Sequence, residues 1–250
     1  KICDRNNCAL NARKARVADL DALDVLIVAP HPDDAELGMG GSILKLKQDG
    51  LRVGVLDLTS GEPTPHGSEE IRRLETVNAT EVLQLDLREN LGLPNRSLEA
   101  NLESRHQLAG FIRQTRPRWL FAPYWVDAHP DHVAATELVE GARFWAKLTK
   151  TDLPGEPWHP ERIFNYFSIH LKLVPQPAFV VDISQQWSQK LQAIKCYQSQ
   201  FAMGSRAESP TFFDQLESEA AYWGKSIGTA YGEPFASREP VGLSDLSSLV

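Results

Sequence analysis

Short, unbroken apolar runs alternate along the chain with segments whose apolar residues recur every three or four positions. "VLIVAP" (Val25–Pro30) is apolar at every position, the pattern of a central parallel strand buried on both faces. "AELGMGGSILKLKQDG" follows, with Leu37, Ile43, Leu44 and Leu46 at helical spacing and a stop at Gly50. "RVGVLDLT" (Arg52–Thr59) reads as a second strand and "SGEPTPHGS" (Ser60–Ser68) as a Gly/Pro-rich loop. A helix is predicted over about Glu69–Leu83, where Glu69 and Glu70 suit the positive end of the helix dipole. "LQLDLREN" contains the third strand. "SLEANLESRHQLAGFIRQTRP" reads as a helix capped by Ser97 and stopped before Pro117. "RWLFAPY" (Arg118–Tyr124) is the fourth strand, followed by the loop "WVDAHPDH" and the helix "VAATELVEGARFWAKL". "ERIFNYFSI" and "AFVVDIS" read as later strands, and two further helices are expected over about Gln185–Gln200 and Thr211–Ile227.

Alternation of this kind predicts an α/β, Rossmann-like architecture: a mostly parallel sheet with helices on both faces. No repeat or linker divides the chain, so residues 21–250 read as one domain and Lys1–Leu20 as an N-terminal extension. A length of 250 residues with 42% hydrophobic content supports a sizeable core. The net charge of −7 argues against a nucleic-acid partner. No apolar run approaches the roughly 20 residues that span a bilayer, so no membrane partner is expected. Cys3, Cys8 and Cys196 form no C-x-x-C pair, which argues against a cysteine zinc site and fits free thiols in a reducing cytoplasm, although Cys3 and Cys8 are close enough in sequence to pair.

Ligands of open α/β sheets sit at the carboxyl ends of the strands. Two related signatures occupy those loops here: "PHPDDAE" after strand one and "AHPDHVA" after strand four. His31, Asp34 and His132 make a two-histidine, one-carboxylate zinc set that leaves a position for water, and ferrous iron tolerates the same ligands. Asp33 is then free to take a proton from that water as general base. His129 is placed to act as acid or oxyanion stabiliser, and Asp131 to orient His129. These are the parts of metal-assisted amide hydrolysis.

"PHPDDAELGMGG", "LTSGEPTPHGS", "FAPYWVDAHPDH" and "CYQSQF" resemble the LmbE/PIG-L family of zinc-dependent N-deacetylases, from Val25 to the "YGEPF" segment. The resemblance implies deacetylation of an N-acetylglucosamine-containing small molecule, with the same ligands, base and acid. Motif order and spacing most resemble the bacillithiol-biosynthesis branch, which implies N-acetylglucosaminyl-malate as substrate and a homo-oligomer, a hexamer in that branch. It further implies that Arg72 in "EEIRRLE" contacts substrate and that Tyr197 in "CYQSQF" reaches the substrate carbonyl oxygen. Relatives in that branch often carry a basic residue where this chain has Ala128.

Other readings remain open at this level. Asp34 or Asp131 suits a helix cap, Arg72 a solvated helix face and Tyr197 a packing position. His66 reads as a solvated loop residue, and His106, His159 and His170 show no ligand spacing and read as structural. The Gly40–Gly41 pair lies in no G-x-G-x-x-G motif, so a dinucleotide site is discarded. Two rival functions stand beside the first: hydrolysis of another sugar amide or thiol conjugate, and sugar binding on a metal-stabilised fold without turnover.

Overall fold

A computed structural model describes residues 22–171, 173–202 and 208–243. The expected extension Lys1–Leu20 and the Cys3/Cys8 question lie outside them. Among the described residues, seven strands form one sheet: β1 (Val25–Ala29), β2 (Val53–Thr59), β3 (Leu87–Leu93), β4 (Trp119–Pro123), β5 (Arg162–Tyr166), β6 (Phe179–Asp182) and β7 (Gly232–Ala236). Their order is β3-β2-β1-β4-β5-β7-β6. The first five pair in parallel, and β7 runs antiparallel to both β5 and β6. The helices are α1 (Asp34–Gln48), α2 (Glu69–Leu83), α3 (Leu102–Thr115), α4 (Pro130–Ala146), α5 (Trp187–Lys195), α6 (Gln198–Phe201) and α7 (Phe212–Ser226). Among the described residues, no helix is long and apolar enough to cross a membrane.

Every residue of β1 is fully buried because each face is covered. Leu26 and Val28 pack with Leu108 and Ile112 of α3 and Leu138 of α4. Val25 and Ile27 pack on the other face with Met39 and Ile43 of α1 and Ala193 of α5. Each such Leu, Ile or Val contributes about 1.5–3 kcal/mol relative to exposure. The strand order reverses between β1 and β4, so the crevice beyond their carboxyl ends lies at a topological switch point.

Four details depart from the sequence expectations. The helix expected from Ser97 starts at Leu102, because the Asn101 side chain accepts the Ser104 N–H at 3.0 Å and Ser97 is exposed. The helix expected over Gln185–Gln200 is two, α5 and α6, separated where Tyr197 leaves helical geometry (φ −85°, ψ 63°). Strand β7 was not expected: "GEPFA" carries Pro234 in its middle, which lacks an N–H, yet Val180 of β6 pairs with Pro234 inside the sheet. Helix α1 is interrupted at Met39 (φ −151°, ψ 25°), inside the Gly-Met-Gly-Gly stretch.

Candidate active site

The loop leaving β1 folds back on itself. The Asp34 carboxylate accepts the His31 backbone N–H at 3.0 Å, and the Asp34 N–H bonds the His31 carbonyl at 3.3 Å. Asp33, between them, is held at φ 118°, a conformation a non-glycine residue rarely adopts. The loop leaving β4 ends on His129, the N-cap of α4, with Pro130 at the first helical position, where its missing N–H costs nothing. His132 enters the site from the first turn of that helix.

Asp34 Oδ2 lies 3.1 Å from His31 Nδ1 and 3.3 Å from His132 Nε2. The opposite ring nitrogens are also held: His31 Nε2 by Asp131 Oδ2 at 3.1 Å and His132 Nδ1 by Asp127 Oδ2 at 3.1 Å. All three residues are buried. Burial alone lowers the affinity of His132 for a proton, but Asp34 and Asp127 push its pKa up to about 10. Burial pushes the Asp34 carboxyl up, and the charges and hydrogen bonds of His132 and His31 bring it well below the usual range. The cluster therefore attracts positive charge. Among the described residues, His132 Nε2 is buried without a hydrogen-bond partner, despite its ion-pair distance to Asp34. Two imidazole nitrogens and a carboxylate oxygen converge, each ring braced from behind by a carboxylate, and this donor set fits a divalent metal.

Asp33 faces Arg72 of α2. Arg72 Nη2 donates to Asp33 Oδ2 at 2.9 Å and to the Pro32 carbonyl at 2.6 Å. Burial pushes the Asp33 carboxyl up to about 7, with Arg72 opposing the rise. His129 Nδ1 accepts the Asp131 backbone N–H at 3.2 Å, so a neutral His129 carries its proton on Nε2. Burial and the neighbouring His132 and His31 lower its pKa. His31, Asp33, Asp34, Arg72 and His129 line a cavity of about 310 Å³ at the carboxyl ends of the strands. A larger hollow of about 430 Å³ lies between Arg143, Phe144 and His159, away from these groups.

Residues 26–143 match the family described as PIG-L: GlcNAc-PI de-N-acetylase. The chain is 42% identical to the conserved protein TT1542 of Thermus thermophilus, whose crystal structure superposes with a TM-score of 0.83 over 90% of this chain and 99% of that one. It is 27% identical to a probable N-acetyl-alpha-D-glucosaminyl L-malate deacetylase 2 of Bacillus anthracis, over 71% of this chain and 81% of the relative. It is 30% identical to the diacetylchitobiose deacetylase of Thermococcus kodakarensis, over 85% of this chain and 82% of the relative. The chain belongs to the PIG-L family.

Not every residue singled out from this PIG-L sequence reaches the cavity. Tyr197, expected at the substrate carbonyl, is fully buried, and its hydroxyl donates to Glu36 Oε1 at 3.0 Å. Its ring lies under the Arg72 guanidinium, 5.4 Å from the centroid, so it meets the site through Arg72. Arg72 does line the cavity, and among the described residues its buried Nε and Nη1 have no hydrogen-bond partner. The Asp131 carboxylate braces His31 and accepts the Arg96 and Leu98 backbone N–H groups at 2.8 and 3.2 Å, while its contact with His129 is made by its backbone N–H on Nδ1. Two residues of the site escaped the sequence reading. Asp127 braces His132; its only sequence signal is its place in "DAHPDH", five residues before that histidine. His170, expected to be structural, lines the cavity with its ring 5.5 Å from those of His129 and His132.

Proposed function

We propose that this PIG-L family chain hydrolyses the acetamide of an N-acetylglucosamine-containing small molecule, with His31, Asp34 and His132 holding a zinc ion, or a ferrous ion in its place. The single observation that carries the reading is the convergence of Asp34 Oδ2 on His31 Nδ1 and His132 Nε2, with Asp131 and Asp127 behind the two rings. When bound, the ion supplies Lewis-acid polarisation of the amide and a water of lowered pKa.

The chain's own groups do the rest. Asp33 takes the proton of the attacking water, and Arg72 aims its carboxylate. His129 donates a hydrogen bond from its Nε2–H toward the amide oxygen as negative charge develops there, and the proton that Asp33 has taken from the water passes to the departing amine. Arg72, paired with Asp33, and Arg96 both line the cavity and bring cationic groups to its wall, which suits an acidic aglycone. This favours N-acetylglucosaminyl-malate, the substrate of bacillithiol biosynthesis; the same reading takes the chain as one deacetylase domain in a cytoplasmic homo-oligomer, a hexamer by the family resemblance.

The Thermococcus relative favours a second reading, a neutral chitobiose-type substrate. The test is amine release by metal-loaded protein from N-acetylglucosamine, its malate conjugate and diacetylchitobiose, with metal content measured on the same sample and mass on the same preparation. Release from the malate conjugate alone supports the first reading. Release only from diacetylchitobiose moves the substrate and keeps the mechanism. Full metal loading and tight sugar binding without release from any of them would make the chain a binding protein.

A further inference from the structure

The Gly-Met-Gly-Gly stretch has no part in the chemistry above, yet it lies where α1 breaks. Up to Gly38 the helix is one turn that carries Asp34 and Glu36; at Met39 the backbone leaves helical geometry; a longer helix then runs on to Gln48. A break of this kind leaves carbonyls without partners on one side and N–H groups on the other. Here both are met by one buried ion pair. Lys190 Nζ, from α5, donates to the Leu37 carbonyl at 2.7 Å, at the end of the first turn. Glu233, from β7, accepts the N–H groups of Gly41 at 2.9 Å and Ser42 at 2.7 Å, and the Ser42 hydroxyl at 2.6 Å, at the start of the second segment. Lys190 Nζ and Glu233 Oε1 are 2.6 Å apart, and the two residues are 3% and 2% exposed.

The glycines let this packing close. A Cβ on Gly38 would sit 2.3 Å from the Tyr166 ring, and one on Gly41 would sit 2.7 Å from Ile183. From its other side the first turn is held through Glu36, which takes the Tyr197 hydroxyl and pairs with Arg88, itself bidentate on Asp57 at 2.9 and 3.0 Å. The turn bearing Asp34 is thus a separate unit, clamped by elements distant in sequence. Burying an ion pair costs several kcal/mol per charge before the attraction is counted, and well-packed apolar residues would often stabilise as much. General stability alone is therefore a poor reason for this pair to stand at the break.

We infer that Lys190 and Glu233 are positioning residues of the metal site: by capping the two sides of the helix break they fix Asp34 relative to His31 and His132, and so set the affinity for the divalent ion. The inference rests on the metal-site reading above. The test is zinc affinity of the full-length chain by competition with a chromophoric chelator, beside the melting temperature of the metal-free protein. Lys190→Met and Glu233→Gln are expected to weaken zinc binding about 10–100-fold, the range found for residues that orient metal ligands. Arg113→Met removes a buried arginine bonded to the Ala146 and Leu153 carbonyls on the α3/α4 side of the sheet, and is expected to lower melting while leaving zinc affinity at the parent value. Should Lys190→Met fail to fold, Gly40→Ala replaces it: the added methyl would stand 3.2 Å from Lys190 Cγ and press on the same break without removing a charge. Parental zinc affinity in the break variants, or an equal loss in Arg113→Met, overturns the positioning role. Failure of the parent itself to retain one zinc equivalent removes the metal-site reading, and the inference with it.

Discussion

Arg72 grips Asp33 from two sides at once: the same Nη2 that meets the Asp33 carboxylate at 2.9 Å also bonds the Pro32 carbonyl at 2.6 Å. The backbone before Asp33 and its side chain are tied to one guanidinium. That arrangement explains how a non-glycine residue is kept at φ 118° beside Asp34, the proposed metal ligand.

Asp33→Asn keeps the shape of the group and removes its capacity to take a proton. Turnover should fall by about 10²–10⁴-fold, the usual weight of a general base. Metal content should remain one per chain. Steady-state kinetics paired with elemental analysis checks this; near-parental turnover would remove Asp33 from the mechanism.

Asp127→Asn should weaken metal binding about 10–100-fold, because the imidazole of His132 loses the carboxylate that orients it. Chelator competition gives the number. A variant that binds metal like the parent would leave Asp127 a merely local structural residue.

Stability should respond to acid through Asp86. Burial pushes its carboxyl up, but hydrogen bonds from Lys47 and the Val53 N–H hold it below the usual range. A group depressed in the folded state adds stability above its unfolded pKa, near 3.9, and loses it as pH falls through the folded value. Asp86→Asn should therefore melt slightly lower at pH 7, by no more than about 2 °C, because the Lys47–Asp86 pair is exposed and screened by solvent. The gap to the parent should narrow as pH is taken below about 4. A gap constant from pH 7 to 2 would contradict it.

Removing the cap of α3 separates two candidate residues. Asn101→Ala should cost about 1 kcal/mol by denaturant titration, whereas Ser97→Ala should be close to neutral. The reverse order would return the start of the helix to Ser97.

The parallel core was readable because strands buried on both faces carry unbroken apolar runs, as Val25–Ala29 does. Strand β7 was hidden because Pro234 argues against an interior strand. The grouping of His31, Asp34 and His132 could be read because each H-P-D signature packs its donors into one tight loop, where spacing is informative. His170 arrives from the loop after β5 and has no such spacing. Asp127 is a lone aspartate until the fold sets it against His132. Tyr197 marks the opposite limit: its motif is clear, but only the packing reveals that its hydroxyl is spent on Glu36.

The two loops that carry the proposed metal ligands follow β1 and β4, which are neighbours in space, with Leu26 in register with Leu120, while β2 and β3 intervene along the chain. Closing so long a loop is among the slower events of folding. Zinc offered to the denatured chain has two isolated half-sites to choose from; only after that register forms do they become one. Metal capture during refolding should therefore trail the bulk of helix formation, and its onset times the closing of the β1–β4 seam.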